Sequence, residues 1–310
     1  MVFFVKFAAK AWQRLLYPIK PYWTANIYGF GKWIRLYGYY PPGLPLCIYT
    51  DHGPGENNEL PSPHELACPA PVQFYHSARK VEKWRAMSSK PCYVLHSPFV
   101  FARRSLGIEH STTAVGTLFF VAHSTPSIDA YKPVEVYDRE IRALPERYHP
   151  VTVCLHIHDV SKGVGEQFAA LGYPVVTAGD SLDQRFTERF YLILSNYKYV
   201  VSDLFGSYAL YATEMGIPFG LYGMVPEYEN KCDPNVEQGV YRSYRDTPYY
   251  KRALKLFGHL PGEEVTEDQL EFATYHLGIK DGVSRAEMAL ILYKSLFSWL
   301  ALKYFPHERS

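Results

Sequence analysis

One stretch of the chain, KYVVSDLFGSYALYATEMGIPFGLYG (residues 198–223), places small polar groups directly after an apolar strand pattern. The strand pattern ends in Ser202-Asp203, Gly206 and Ser207 follow within four residues, and a helical pattern begins there. We expect Ser207 to cap that helix, whose N-terminus would offer N–H groups and a partial positive charge to a phosphate. Glu214 lies seven residues further on, two turns along the same face, where it would accept hydrogen bonds from ribose hydroxyls. The alternative is that Ser207 is only a cap and Glu214 only a surface acid.

Similar side chains follow the other strand patterns in this part of the chain. In a doubly wound parallel sheet the ligand binds beyond the carboxyl ends of the strands, so these residues should meet at one edge. Hydroxyl side chains, glycines and histidines recurring at one edge are what a pocket for a nucleotide diphosphate needs. The residues predicted to line this pocket are His123, Ser124, Thr125, His156, His158, Asp180, Ser202, Gly206, Ser207, Tyr208 and Glu214.

The two histidines of LHIHD, His156 and His158, are two residues apart in a strand pattern. Side chains alternate along a strand, so both should point to the same face. Paired histidines can bind a metal, but Asp159 falls on the opposite face and local spacing fixes no third ligand. We therefore predict no metal, and we expect one of the two histidines to contact a phosphate or a ribose.

A second chemical pattern lies near the start of the chain. Asp51 and His52 follow the short buried-strand pattern PLCIYT and occupy the glycine-containing loop TDHGPG. An acid or imidazole aimed out of a sheet is what a general base needs to deprotonate a hydroxyl nucleophile. Histidine, with an unperturbed pKa of about 6.5, accepts a proton near neutral pH, so we prefer His52 to Asp51 as the base. The alternative is a turn in which Asp51 and Gly53 serve only the backbone geometry.

These residues need a framework of strands and helices to position them. Strand, helix and strand patterns between residues 45 and 98 predict a small α/β unit. After a polar stretch at 107–116, five strand patterns alternate with helical patterns up to residue 223, which fits a doubly wound parallel sheet. Capping-box patterns at Ser181/Gln184, Thr266/Gln269 and Ser284/Glu287 predict three helix starts, and the last helix should run from about residue 285 to 304.

The predicted fold class is therefore α/β, with two Rossmann-like doubly wound domains, a small N-terminal one, and a helical C-terminal segment. Four segments follow from the patterns. They are a basic aromatic segment at 1–40, an α/β domain at 41–112, a nucleotide-binding α/β domain at 113–225 and a helical extension at 226–310.

Composition narrows the class of protein. The net charge is +1, so no strong overall field favours nucleic acid as a partner. The cysteine count is odd and no pair has CxxC spacing, which excludes a disulfide framework and a zinc ribbon and favours reduced thiols in the cytoplasm. The five cysteines are Cys47, Cys68, Cys92, Cys154 and Cys232.

The first fifty residues contain six lysines and arginines, many aromatic residues and no acid. On a helical wheel one face of their start is apolar (Phe4, Phe7, Ala8, Ala11 and Leu15) and the opposite face is basic (Lys6, Lys10 and Arg14). This pattern is typical of a helix lying in a membrane interface, and the apolar run is too short to span a bilayer. The alternative is an amphipathic helix packed on the protein's own core.

Together these motifs resemble the two-domain (GT-B fold) glycosyltransferases, in particular the bacterial surface-polysaccharide and teichoic-acid polymerase branch. SDLFGSYALYATEMGIPFGLYG is similar to that branch's SDxSS-like loop, helix and G.P..(F/L)Y, with Gly206-Ser207 in place of the serine pair. IYTDHGPG is similar to its HG(T/P) loop, whose histidine is thought to be the base, which implies His52. LHIHD is similar to its (K)xHP-like strand end, with Asp159 in place of the usual proline.

The resemblance implies a glycosyltransferase whose donor is a nucleotide-sugar. No carboxylate-rich cluster of the DxD kind lies at a strand end in a donor loop, so we predict that catalysis needs no metal, and we expect no cofactor. The acceptor would be a glycan or a lipid-linked glycan in surface polysaccharide biosynthesis. The enzyme would be cytoplasmic and peripheral on the inner face of the cell membrane. The alternatives are a CDP-polyol phosphotransferase, a nucleotide-sugar epimerase, or a non-catalytic partner in a polysaccharide assembly complex.

Overall fold

A computed structural model describes residues 23–51, 53–56, 60–233, 239–242 and 247–304. The helices are α1 (Trp23–Asn26), α2 (Phe30–Tyr37), α3 (Pro63–Ala67), α4 (Ala78–Met87), α5 (Pro98–Leu106), α6 (Val134–Arg142), α7 (Ile157–Ser161), α8 (Val164–Ala170), α9 (Phe186–Leu194), α10 (Ser207–Glu214), α11 (Pro248–Phe257), α12 (Glu267–His276) and α13 (Arg285–Tyr304). The strands are β1 (Ile48–Thr50), β2 (Val72–Tyr75), β3 (Cys92–Val94), β4 (Thr117–Phe120), β5 (Ile128–Tyr131), β6 (Val151–Cys154), β7 (Val175–Val176), β8 (Tyr199–Ser202), β9 (Phe219–Leu221), β10 (Glu227–Asn230) and β11 (Gly239–Arg242).

The chain divides into two compact units. Unit 1 takes the described residues of Met1–Ala102, Ser181–Arg185 and Tyr275–Ser310, and unit 2 takes those of Arg103–Asp180 and Phe186–Thr274. Two of the four boundaries therefore fall inside α5 and α12, and α13 belongs with the N-terminal part of the chain. The sequence patterns had placed α13 in a separate C-terminal extension.

Unit 1 is built on a three-stranded parallel sheet in the order β1-β2-β3. Tyr75, Val81 and Trp84 form a buried cluster between β2 and α4, and this apolar face holds the helix on the sheet. Helix α13 packs against α2. The approach is close, because a Cβ at Gly38 would lie 2.8 Å from the Met288 side chain.

Unit 2 is built on a five-stranded parallel sheet in the order β7-β6-β4-β8-β9. Counted along the chain this is the order 3-2-1-4-5, which defines a doubly wound sheet. Its central strands read TLFF, VTVC and YVVS, almost continuous apolar runs, because helices cover both faces. Phe119, Val153 and Val201 are fully buried in its core. The predicted fold class is confirmed.

A second sheet in unit 2 is antiparallel, in the order β11-β10-β5. Strand β5 follows β4 in the chain and pairs with β10, with Tyr131 opposite Glu227. The sequence patterns did not predict this sheet, because its strands are short and the partner of β5 lies almost a hundred residues away.

Two of the three predicted capping boxes are confirmed. Thr266 and Gln269 exchange hydrogen bonds of 3.0 and 3.3 Å, and Ser284 and Glu287 exchange bonds of 2.7 and 3.3 Å. The prediction at Ser181 is wrong, since α9 begins only at Phe186. The Ser181 carbonyl instead accepts the backbone N–H of Tyr28 at 2.5 Å, so contacts inside unit 1 override the local pattern.

The predicted last helix is confirmed at both ends as α13. The helical face predicted for residues 4–15 lies outside the described residues. Within the described ranges, none of the helices combines the length and the apolar content that crossing a bilayer requires.

Candidate functional site

The carboxyl ends of β4, β6, β7, β8 and β9 form one edge of the main sheet, here called the carboxyl edge. The strand order reverses between β4 and β8, and ligands of doubly wound folds bind in the crevice at such a point. The loops that follow β4 and β8 are joined there by a hydrogen bond, which the Ala122 N–H donates to Asp203 Oδ1 at 3.1 Å.

A buried ionic cluster lies under this reversal point. The side chains of Asp203 and Lys132 are both 0% exposed, and Lys132 Nζ lies 3.2 Å from Asp203 Oδ2. Tyr137 Oη donates to the same carboxylate at 2.6 Å, and Lys132 Nζ also pairs with Glu140 Oε2 at 2.7 Å. Burial raises the pKa of the Asp203 carboxyl, and the Lys132 charge and the Tyr137 hydroxyl oppose that rise. The cluster fixes both loops, because each carboxylate oxygen of Asp203 is bound from a different segment.

The sequence patterns singled out Asp203 only as a strand end and missed its partners. A lone lysine in YKPVEVYDRE reads as a solvent-exposed residue, and its burial follows from β5, which was not predicted. Glu140 additionally accepts the Met224 N–H at 2.8 Å, which joins the cluster to the loop after β9.

Three predicted histidines come together at the carboxyl edge. The ring centroids of His123 and His156 are 4.6 Å apart, and those of His156 and His158 are 4.8 Å apart. Burial, followed by the neighbouring His123 and His158, lowers the pKa of His156 to about 4, with Asp180 opposing. His156 is therefore neutral near pH 7. Among the described residues no group of histidine, cysteine and acid side chains is arranged to hold a metal ion.

The predicted strand position of His156 and His158 is wrong. Strand β6 ends at Cys154, and His156 is the N-cap of α7, whose ring Nδ1 accepts the His158 N–H at 3.3 Å. The chain turns into a helix because the apolar run stops at Leu155, before the first histidine. The two rings still lie close together. The reason is that His156 caps α7 and His158 lies in its first turn, not that side chains alternate along a strand.

Ser124 and Thr125 shape the loop that carries His123. The buried Ser124 donates its N–H to Asp159 Oδ1 at 3.1 Å, and its Oγ accepts the Ala130 N–H at 3.1 Å. Thr125 Oγ1 accepts the Ile128 N–H at 3.0 Å. Both hydroxyls are therefore engaged within the loop. Asp159, which the sequence resemblance left without a role, is buried and anchors it.

The N-terminus of α10 lies at the same edge, and its cap is Gly206 rather than the predicted Ser207. Ser207 is the first helical residue, and the N-cap glycine has no side chain with which to cap the helix. Tyr208 packs its ring on Phe120 at 4.5 Å, and its hydroxyl lies 2.8 Å from Ser202 Oγ. Ser202 and Tyr208 thus satisfy each other. The first N–H groups of α10 have no side-chain acceptor at the cap.

Glu214 does not join these residues. It ends α10, about 10 Å from Ser207 at 1.5 Å per residue. A helix that follows a parallel strand runs back towards the amino edge of the sheet, so Glu214 lies away from the carboxyl edge. Its buried carboxylate pairs with Arg103 at 2.9 Å and with Arg104 at 2.8 Å.

Asp180 lies four residues beyond β7, and its charge opposes the lowering of the His156 pKa. A cation that was not predicted accompanies it. Arg189, on α9, donates Nε–H to the Ala178 carbonyl at 2.7 Å, which brings its guanidinium to the loop preceding Asp180. The part of the carboxyl edge at β4, β6 and β7 therefore combines histidines with an arginine.

A cavity of about 400 Å³ opens at the ends of β8 and β9. Ligand pockets for small molecules typically measure about 300–1,000 Å³ and are mostly apolar. The sequence patterns missed the contribution of α11. The lining residues are Asp203, Leu221, Tyr222, Gly223, Val225, Tyr250, Leu254, Gly258, His259 and Leu260.

In unit 1, His52 lies outside the described residues. Asp51 follows β1 directly, and its carboxylate lies 2.7 Å from Lys80 Nζ on α4, with both side chains largely buried. Burial lowers the pKa of Lys80, but the charge and hydrogen bond of Asp51 outweigh it, so that the pKa is raised overall. The Asp51 carboxylate is therefore engaged by a cation.

Comparison with known proteins gives a match among solved structures only. No family model and no curated protein matches the chain. Among solved structures, it is similar to UDP-GlcNAc 2-epimerase from Neisseria meningitidis bound to UDP-GlcNAc, with 12% identity and a TM-score of 0.39. The match covers 74% of this chain and 62% of that chain, so this chain spans less than two thirds of that protein.

Proposed function

We propose that the chain is a GT-B-type glycosyltransferase that binds a nucleotide-activated sugar at the carboxyl edge of unit 2. The observation that carries the proposal is the adjacency, on one edge of a doubly wound sheet, of a largely apolar cavity and a polar histidine cluster. The cavity lies at the ends of β8 and β9, and the cluster at the ends of β4 and β6. Asp203 lines the cavity and is hydrogen bonded to Ala122, the residue before His123.

The two halves of this edge suit the two halves of a nucleotide. The cavity would enclose the base and ribose, with Tyr222 and Leu254 as apolar walls. The diphosphate would lie over the N-terminus of α10, where helix N–H groups and the helix dipole favour an anion. His123 and His156 would donate hydrogen bonds to its oxygens. A bound phosphate favours protonated imidazole, so binding should raise the low pKa of His156.

The proposed reaction is displacement at the anomeric carbon. The acceptor hydroxyl forms the new bond to that carbon while the carbon–oxygen bond to the diphosphate breaks, and the nucleoside diphosphate leaves with the electron pair. The hydroxyl proton goes to a base, for which we propose His52. Asp51 is the weaker candidate because Lys80 already pairs with its carboxylate. The proposed acceptor is a glycan or lipid-linked glycan at the inner face of the cell membrane.

A matched pair of tryptophan variants on α11 tests the donor site. Leu254 lines the cavity, whereas the next residue, Lys255, is exposed and does not. We expect Leu254→Trp to fill the cavity and weaken the binding of UDP, GDP or CDP at least about tenfold, a loss of about 1.4 kcal/mol. Lys255→Trp should bind with the affinity of the unmodified chain in the same titration calorimetry. Equal affinities for the two variants would place the nucleotide elsewhere.

A further inference from the structure

Helix α13 is apolar on two opposite faces. One face is buried, with Met288, Leu292 and Leu296 between 0% and 7% exposed. The opposite face carries the three residues we call the apolar stripe: Leu290, Tyr293 and Phe297, which are 54%, 37% and 67% exposed. Their spacing of three and four residues keeps them on one side of the helix. An outward apolar face on a twenty-residue helix indicates a surface with a partner.

The start of α13 is bound to the end of α2. Arg285 places its guanidinium 4.0 Å from the ring centroid of Tyr39 and donates to two backbone carbonyls at the end of α2. Tyr39 is exposed and has a φ of 49°, a left-handed conformation that is rare for a bulky residue. The ring of the buried Tyr40 contacts that of Tyr293 at 5.1 Å, and Leu36 on α2 is exposed. Exposed apolar side chains therefore occur on α2 and just after it as well as on α13.

The charges around this surface are mainly positive. Lys32, Arg285 and Lys294 are exposed on α2 and α13. Glu287, the one acid in the sequence of α13, is engaged in the capping box with Ser284. Tyrosine, phenylalanine and leucine flanked by lysine and arginine are the composition of helices that lie in a membrane interface.

We propose that the apolar stripe, together with Leu36 and Tyr39, rests on an anionic membrane surface. The first fifty residues, which include α1 and α2, carry six lysines and arginines and no acid, and these charges add to the attraction for anionic lipid. The inference rests on the membrane location within the proposed function, but it is independent of the chemistry assigned to unit 2.

A second copy of the chain fits the stripe less well. Lys294 is the tenth of the twenty residues of α13 and lies beside the stripe. Two stripes packed antiparallel about a two-fold axis would bring the two copies of Lys294 together near that axis. Like charges placed together at an interface oppose association. The same lysine faces favourable charge on an anionic bilayer.

The test is co-sedimentation of the full chain with phosphatidylcholine vesicles, with and without phosphatidylglycerol, at low salt. Phe297→Gln removes an apolar group from the stripe, and Ser298→Gln is a neutral control at the next exposed position, outside the stripe. We expect the unmodified chain to bind anionic vesicles and Phe297→Gln to partition about tenfold more weakly, as expected for losing one buried aromatic side chain. Ser298→Gln should stay within about twofold of the unmodified chain, because it changes no charge and removes no apolar side chain from the stripe.

Four results would overturn the inference. The first is no binding of the unmodified chain to anionic vesicles, and the second is equal partitioning of the two variants. The third is binding that survives Phe297→Gln and disappears on deleting residues 1–20. A dimer in light scattering that Phe297→Gln dissociates would assign the stripe to a second copy and also overturn it. Matching melting curves show that both variants fold, and nucleotide calorimetry on the same preparations tests the proposed function separately.

Discussion

Removing the cation from the buried cluster of unit 2 should destabilise that unit strongly. The variant is Lys132→Met, which keeps most of the side-chain length and removes the charge. Asp203 then loses the cation at 3.2 Å and Glu140 the cation at 2.7 Å, and Asp203 stays fully buried. The matched control is Lys162→Met, because Lys162 also pairs with an acid, Asp129, at a site where the two side chains are 40% and 20% exposed.

The magnitude follows from burial. Breaking a buried ion pair by removing one partner costs about 3–5 kcal/mol, because an uncompensated charge remains in a medium of low dielectric constant. Tyr137 and the Ala122 N–H still donate to Asp203, so we expect the lower end, about 3 kcal/mol. The exposed pair of the control should contribute no more than about 1 kcal/mol.

The assay is urea unfolding of both variants and the unmodified chain, followed by circular dichroism. A second readout is the pH dependence, since Asp203 without its cation should have a raised pKa. A carboxyl whose pKa is higher in the folded than in the unfolded protein contributes stability that is lost as the pH rises. Lys132→Met should therefore lower the free energy of unfolding more near pH 7 than near about pH 4. A loss below about 1 kcal/mol, or equal losses in the variant and the control, would refute the role assigned to the cluster.

Three further predictions concern the site residues. His156 has a pKa of about 4, whereas in the unfolded chain it accepts a proton near about pH 6.5, so stability should fall as the pH drops through that window. In melting curves recorded from acid to neutral pH, His156→Gln should make this fall shallower, and the control His259→Gln, at an exposed position, should not. Ser207→Ala should weaken nucleotide binding by about 1–3 kcal/mol in calorimetry with little change in melting temperature, and unchanged affinity would remove Ser207 from the donor site. His52→Ala should cut turnover at least about a hundredfold at near-normal nucleotide affinity, whereas full activity in His52→Ala and its loss in Asp51→Asn would move the base to Asp51.

Elements with strong local signals were predictable from the sequence. The central strands TLFF, VTVC and YVVS stand out because strands of a parallel sheet are buried on both faces and read as continuous apolar runs. Helix α13 was predictable because its capping box and apolar content agree. The carboxyl edge followed from these strands, which is why His123, His156 and His158 were expected together.

Features that depend on distant contacts were not predictable. The Ser181 pattern satisfies the local rule for a helix start, but in the structure the Tyr28 N–H donates a hydrogen bond to the Ser181 carbonyl. Lys132 is buried because β5 pairs with β10, and no local pattern predicts a partner so distant in the chain. Glu214 has the right spacing from Ser207, but its pairing with Arg103 lies more than a hundred residues apart in the chain.

Titration calorimetry of the unmodified chain with UDP, GDP, CDP and CMP tests the central claim most directly. The proposed donor site predicts that at least one nucleoside diphosphate binds and raises the melting temperature by mass action. Binding should take up protons as the low pKa of His156 rises, and the heat measured in buffers of different ionisation enthalpy reports that uptake. Binding of CMP alone would favour transfer of a polyol phosphate over transfer of a sugar. If none of the four nucleotides binds up to millimolar concentration, the carboxyl edge of unit 2 is not a nucleotide site and the account is contradicted.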